Sequence, residues 1–201
     1  MMGKTHLTMG IAIATLVLHP NDVPSCLVAI AGGAIGGVVA DIDTVRNDYK
    51  HDALMGQVLA ISVFCVSLLI DYIAGFGIAY SISNQNRVLV ITGIVGYLVL
   101  YIMSFFCRHR TFTHSLLALV LYTISVCLVC PGMAIPYAIG YMVHLILDIL
   151  NKKPVPLFFP KGKGFCLGWF YANRSANKCL GWIGLATSVF LIINSTIMHV
   201  F

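Results

Sequence analysis

The sequence predicts an all-α, polytopic transmembrane helix bundle forming one domain over residues 1–201, and three observations carry that expectation. Of the 201 residues, 59% are hydrophobic and only 9% charged, with a mean hydropathy of +0.93; soluble domains carry about 25% charged residues. About seven apolar runs follow one another, at about 5–18, 25–41, 54–79, 88–106, 112–130, 132–150 and 180–201. The basic residues between the runs fall on alternate sides. With seven spans and a cytoplasmic N-terminus, Lys4, Arg46, Lys50, Arg108, Arg110, Lys152, Lys153, Lys161, Lys163, Arg174 and Lys178 lie inside, and Arg87 alone lies outside. That asymmetry is the positive-inside signature of a multi-pass membrane protein.

The first run follows Lys4 and looks superficially like a secretion signal. It ends at His19-Pro20 with no small-x-small cleavage site, so it is expected to stay on the protein. The first two runs are shorter than the roughly 20 residues of a full span, which suits tilted, partial or re-entrant helices. The second, CLVAIAGGAIGGVVA, is rich in small residues that let helices approach closely in lipid, and it is expected in the middle of the bundle. It lacks the lysine of a phosphate-binding loop. The remaining runs have span length, and the sizeable connection at 151–179 is irregular, with proline and glycine throughout. Its Phe158, Phe159, Trp169, Phe170 and Tyr171 alternate with basic residues and suit an anchor in the headgroup layer better than a substrate lid.

Other compositional features narrow the function. The net charge of +5 comes from residues flanking apolar runs, so nucleic acid is not an expected partner and the bilayer is. All seven acidic residues are Asp. The seven cysteines lie mostly in or beside apolar runs, where a thiol acts as a small hydrophobe. Cys127 and Cys130 form a lone C-x-x-C inside a run, too little for a metal or redox motif. No oligomeric state follows from the sequence.

Ionisable groups within membrane segments are costly and usually mark function. His144 and Asp148 sit four residues apart near the end of the sixth run, on one helix face, a common way of offering two ligands to one divalent metal. In the predicted topology three other segments bring polar groups to the same end. His6 opens the first run, Asp41 and Asp43 close the second, and Arg108, Arg110, Thr113, His114 and Ser115 open the fifth. The expected metal ligands are therefore His6, Asp41, Asp43, His114, His144 and Asp148, a set suited to zinc, with manganese or iron as alternatives, and large enough for one or two ions. Arg108, Arg110, Lys152 and Lys153 offer an anion-binding complement, and Thr113 and Ser115 can serve as supporting groups or oxyanion donors. Asp43, His114 and Arg110 are the expected catalytic groups, with Arg110 holding a phosphate. Arg108 also reads as a topology determinant. His109 has no evident partner and is left out. Asp48, His51 and Asp52 are close enough in sequence to join the site or to be solvated loop residues, and His19, Asp71 and His199 belong to the opposite face.

These motifs resemble the YdjM-type inner-membrane family, described as LexA-regulated, metal-dependent hydrolases. The family's T-H-x-x-x-G stands here as Thr5-His6 and Gly10, and its P-D-x-D as Ala40-Asp41-Ile42-Asp43. H-R-x-x-T-H-S runs from His109 to Ser115, and H-L-x-x-D-x-x-N from His144 to Asn151. V-x-L-x-x-P runs from Val155 to Pro160. Ala40 replaces the family proline and Pro154 a common glycine, neither of them a ligand. The family is distantly similar to zinc-dependent phospholipase C and related single-strand nucleases, which implies a phosphoester substrate and, at a membrane, a lipid headgroup.

The expectation is a membrane-bound metal-dependent hydrolase cleaving a lipid phosphoester at the cytoplasmic face. Its rivals are a metal carrier or sensor using the same ligands, and a structural protein whose polar cluster pins helices. A carrier would continue its polar groups to the membrane midplane, and this sequence gathers them at one end.

Overall fold

In lipid every backbone N–H and C=O must be satisfied within the chain, and apolar runs of this length do so as helices. The computed structural model describes residues 2–46, 50–161, 164–169 and 175–197. Its helices are α1 (Gly3–Leu18), α2 (Val23–Val39), α3 (Lys50–Ala74), α4 (Ile78–Ser83), α5 (Arg87–Phe106), α6 (Leu116–Val129), α7 (Pro131–Ile149) and α8 (Ser175–Ile197). Two 3-10 turns, Ala40–Arg46 and Phe112–His114, follow α2 and precede α6. Among the described residues the extended pairing is a single bridge between Val155 and Phe165. Asp48, Lys163, Phe170, Tyr171, Arg174 and His199 lie outside the described residues.

Local chemistry sets the ends. Asp22, Asn86 and Ser115 begin α2, α5 and α6 by accepting from the backbone amides of Ser25, Val88 and Ala118 at 2.7, 2.9 and 3.2 Å. The expected third run, 54–79, divides: α3 ends at Ala74 because Gly75 and Gly77 take φ of 70° and 82°, a region glycine enters without cost. Asp71, buried at the end of α3, then accepts from Ile78 and Ala79 amides at 2.9 and 2.8 Å and starts α4. The fifth run is shorter than expected because the Ser115 cap begins α6 only at Leu116, giving 14 residues. The second run is longer: with the turn that follows α2, Val23–Thr44 makes 22 residues. Among the described residues five helices are long and apolar enough to cross a membrane, and α1 and α6 are shorter apolar helices.

The small residues of α2 put it between α1 and α7, as the second run predicts. A Cβ on Gly33 would stand 2.7 Å from the Gly10 carbonyl oxygen of α1, and a Cβ on Gly140 of α7 would stand 2.5 Å from that of Gly33. No residue larger than glycine fits at this crossing. Gly37 is as tightly placed, with the His6 carbonyl oxygen 2.6 Å from where its Cβ would be. One core lies among α2, α6 and α7, where Tyr122, Tyr137 and Tyr141 are fully buried with Leu145. A second joins Leu7 and Ile11 of α1 to Ala34 and Val38 of α2 and Ala60 of α3. The outward faces of α3, α5 and α8 expose residues such as Ile73, Val88, Ile91, Ile183 and Phe190, a surface suited to lipid. Within the loop after α7, Phe158 and Trp169 are exposed, while Leu157 and Phe159 tuck against the first core. The described cysteines are free.

Candidate metal centre

Because α1 and α6 begin at the end where α2 and α7 finish, four segments deliver polar side chains to one place. His6 stands in the first turns of α1, Asp41 and Asp43 in the turn after α2, His109 to His114 before α6, and His144 and Asp148 in the last turns of α7. The three histidines His6, His114 and His144 are fully buried, and Asp41, Asp43 and Asp148 are 6%, 4% and 1% exposed. Burying such a set is costly in a soluble core and more so at membrane depth, so it marks function.

The rings are oriented by groups behind them. His144 Nδ1 lies 2.8 Å from the Gly37 carbonyl oxygen, which can only accept, so Nδ1 carries the proton and Nε2 presents its lone pair inward. The Thr113 hydroxyl donates to Asp43 Oδ2 at 2.6 Å, leaving its oxygen to accept from His114 Nδ1 at 2.9 Å. His114 Nε2 therefore also faces the centre. Backbone carbonyls and hydroxyl–carboxylate pairs are the usual means by which proteins fix a metal-binding imidazole. The Tyr141 hydroxyl, one turn before His144, donates to the Thr113 carbonyl oxygen at 2.5 Å and holds that turn against α7.

The facing atoms are close. His114 and His144 Nε2 are 3.4 Å apart, and Asp148 Oδ2 lies 3.2 Å from the first and 4.0 Å from the second. Asp41 Oδ1 stands 3.8 and 3.7 Å from the same two nitrogens. His6 stacks on His144 with centroids 3.9 Å apart, and its Nε2 is 3.6 Å from Asp148 Oδ1. Ligands about 2.0–2.1 Å from a tetrahedral zinc stand roughly 3.3 Å from one another. The spacing is that of a ligand cage. Three overlapping groups can hold an ion: Asp41, Asp43, His109 and His114; His6, Asp41 and His144; and His114, His144 and Asp148.

Two further observations fit a cation. Both ring nitrogens of His6 are buried without a hydrogen-bond partner among the described residues, a costly arrangement for a group with no ligand to meet. Three carboxylates are also buried together, with Arg110 Nη2 at 3.0 Å from Asp148 Oδ2 as a positive neighbour. Burial opposes protonation of His114, in the turn before α6, yet Asp43 and Asp148 push its pKa up to about 10. The centre draws positive charge, and a divalent cation competes there with protons.

The expected site residues divide by position. His6, Asp41, Asp43, Arg110, Thr113, His114, His144 and Asp148 converge. Arg110, at φ 60°, gives its amide to Asp43 Oδ2 at 3.0 Å and its Nη1 to the Lys153 carbonyl oxygen at 2.6 Å, tying the centre to the loop after α7. Ser115 caps α6 and donates to the Phe112 carbonyl oxygen at 2.6 Å. Arg108 and Lys152 are exposed; the Arg108 carbonyl accepts from Thr111 and the Lys152 amide donates to Asn151. His51 and Asp52 begin α3 and belong to none of the three groups, and His19 ends α1 at the opposite end. His109 has a partner that sequence reasoning did not find: its Nδ1 lies 2.8 Å from Asp43 Oδ1. The signal was its place at the head of the H-R-x-x-T-H-S block.

Fold and site together define a multi-pass membrane protein with a buried histidine–aspartate centre able to hold a metal. The chain belongs to the YdjM inner membrane protein family, whose family model matches residues 1–200, which makes it a multi-pass protein of the inner membrane. No curated protein and no solved structure matches the chain, so neither comparison supports the expected likeness to zinc-dependent phospholipase C.

Proposed function

We propose that this protein is a metal-dependent hydrolase that cleaves a phosphoester of a membrane lipid with an activated water, working at the cytoplasmic face. One observation supports the reading above the rest: in a buried centre, the Nε2 atoms of His114 and His144 stand 3.4 Å apart and each lies within about 4 Å of a carboxylate oxygen of Asp41 and one of Asp148. His6, Asp41, Asp43, His114, His144 and Asp148 would hold the metal, with His109 beside Asp43. When bound, zinc, manganese or iron supplies Lewis-acid polarisation of a phosphoryl oxygen and an acidified water.

The chain's own groups do the rest. Asp43 accepts from His109, Thr113 and the Arg110 amide and so fixes the loop that carries His114. Asp41, facing both His114 and His144, orients the water and takes its proton. Water oxygen bonds to phosphorus, the phosphorus–oxygen bond to the lipid breaks, and the proton taken by Asp41 passes to the leaving oxygen. Arg110 keeps donors beyond its contacts with Asp148 and Lys153 for a phosphate oxygen. The cytoplasmic side follows from the basic residues that flank the same end of the bundle.

Full burial of the histidines favours a second reading, a closed centre that retains or senses a metal without turnover. The two separate on phospholipid vesicles supplied with zinc or manganese. Hydrolysis is expected from the wild type and is expected to fall on the order of a hundredfold or more in Asp41→Asn. Full activity in both His144→Ala and Asp148→Ala would sink the hydrolase reading.

A further inference from the structure

A second feature lies in the other half of the bundle. A cavity of about 260 Å³ opens there, floored by Leu27 and Ala31 of α2 and walled by Phe64 of α3 and Leu98 of α5, with Ile82 of α4 across its end. Its exposed lining is entirely apolar. Two serines that border it turn their hydroxyls back onto their own helices, Ser67 to the Val63 carbonyl at 2.9 Å and Ser125 to that of Leu121 at 3.0 Å. Ile94 and Leu98 at its side remain 44% and 52% exposed, so it opens sideways to lipid between α3 and α5.

Close packing leaves few large voids, and this one is open to lipid, while water needs polar partners that its lining does not offer. A partner helix, about 10 Å across with its side chains, is too wide to enter. A hydrocarbon chain fits. Leu98, on the lipid-facing side of the cavity, lies eleven residues into the 20-residue α5, about 16 Å at 1.5 Å per residue. That is about half of a hydrocarbon core of roughly 30 Å, the depth that the chain end of a lipid reaches when its headgroup sits level with the metal centre. The buried core of Tyr122, Tyr137 and Tyr141 fills the interior of the bundle, so the chain reaches the cavity from the lipid side.

We infer that this cavity is an acyl-chain subsite, taking the terminal part of one long chain of a phospholipid from the leaflet that contains the metal centre. The inference rests on the hydrolase reading only in naming that lipid as substrate. Chain length then becomes a selected property: long-chain lipids engage the subsite and short-chain ones do not.

The test is photolabelling of the full chain in nanodiscs with a phosphatidylethanolamine bearing a diazirine at the end of one long acyl chain. Label is expected to concentrate on Phe64, Leu68 and Leu98. It is expected to fall at least tenfold in Ser67→Phe and in Leu98→Trp, which fill the cavity from α3 and from α5, and to persist in Ile102→Trp on the lipid face of α5. Leu98→Trp alters a lipid-facing residue, so it keeps the comparison open if Ser67→Phe does not fold. Label spread evenly over α5 and α8, unchanged by filling, would overturn the subsite. The same labelling in His144→Ala/Asp148→Ala separates the two readings. If that variant loses hydrolysis but keeps its label, the subsite stands; an active wild type without focused label removes the subsite and leaves the hydrolase.

Discussion

His144 Nδ1 lies 2.8 Å from the carbonyl oxygen of Gly37, so the backbone of α2 sets the tautomer of a histidine on α7. The same glycine bears on α1, because the His6 carbonyl oxygen occupies the space that a Cβ there would need. One small residue thus registers two of the three buried histidines, and helix packing and centre geometry become one problem.

Gly37→Ala should disturb both at once. Its Cβ would come 2.6 Å from the His6 oxygen, a backbone atom that cannot move without α1. A loss of about 1–3 kcal/mol is expected from such overpacking, together with metal affinity about tenfold weaker or more. Thermal unfolding and zinc titration in detergent read the two effects. Gly132→Ala, where a Cβ meets nothing within 4 Å, should change neither.

Thr113→Val keeps the shape of the side chain and removes the hydroxyl that links Asp43 to His114. Metal affinity should fall about 10–100-fold, with the helical content intact. Thr113→Ser should restore most of it; equal weakness in both variants would assign the effect to packing instead of the hydroxyl.

His109→Ala should weaken metal retention about tenfold, since Asp43 Oδ1 loses its partner at 2.8 Å. Arg108→Ala, at an exposed residue one position away, should leave metal content within about twofold of wild type, the range of ordinary surface substitutions. The reverse ranking would mean that the charge at Arg108, and not the His109–Asp43 contact, steadies the centre.

Asp71→Ala acts at the opposite end. Removing the buried acceptor of two amides that start α4 should cost about 1–3 kcal/mol. Metal content should not change. A metal-free Asp71→Ala protein would show that the two ends of the bundle are coupled.

Much of this was readable from the chain because the membrane restricts the choices. His144 and Asp148 share a helix face by spacing alone, and the alternation of basic residues sends His6, Asp41 and His114 to the same end. The small residues of α2 foretold its central place, since only close approach explains so many of them in lipid. What stayed hidden depends on contacts distant in sequence. The reach of His109 to Asp43 spans 66 residues and turns on the left-handed backbone of Arg110. The Tyr141–Thr113 bond and the Gly37–His144 bond join neighbours that no local pattern pairs. The division of the third run at Gly75 was local and legible in principle, but its apolar residues continue past the turn and mask it.

Metal content decides whether the buried histidine–aspartate centre holds an ion. Elemental analysis would compare detergent-purified wild type with His144→Ala/Asp148→Ala, each verified as folded by its helical signal. About one or two equivalents of zinc, manganese or iron are expected in the wild type, as one or two clustered ligand sets would hold, and loss in the variant. A folded wild type that takes up no metal, even after zinc or manganese is supplied, would contradict that expectation and leave the histidine–aspartate cluster as architecture.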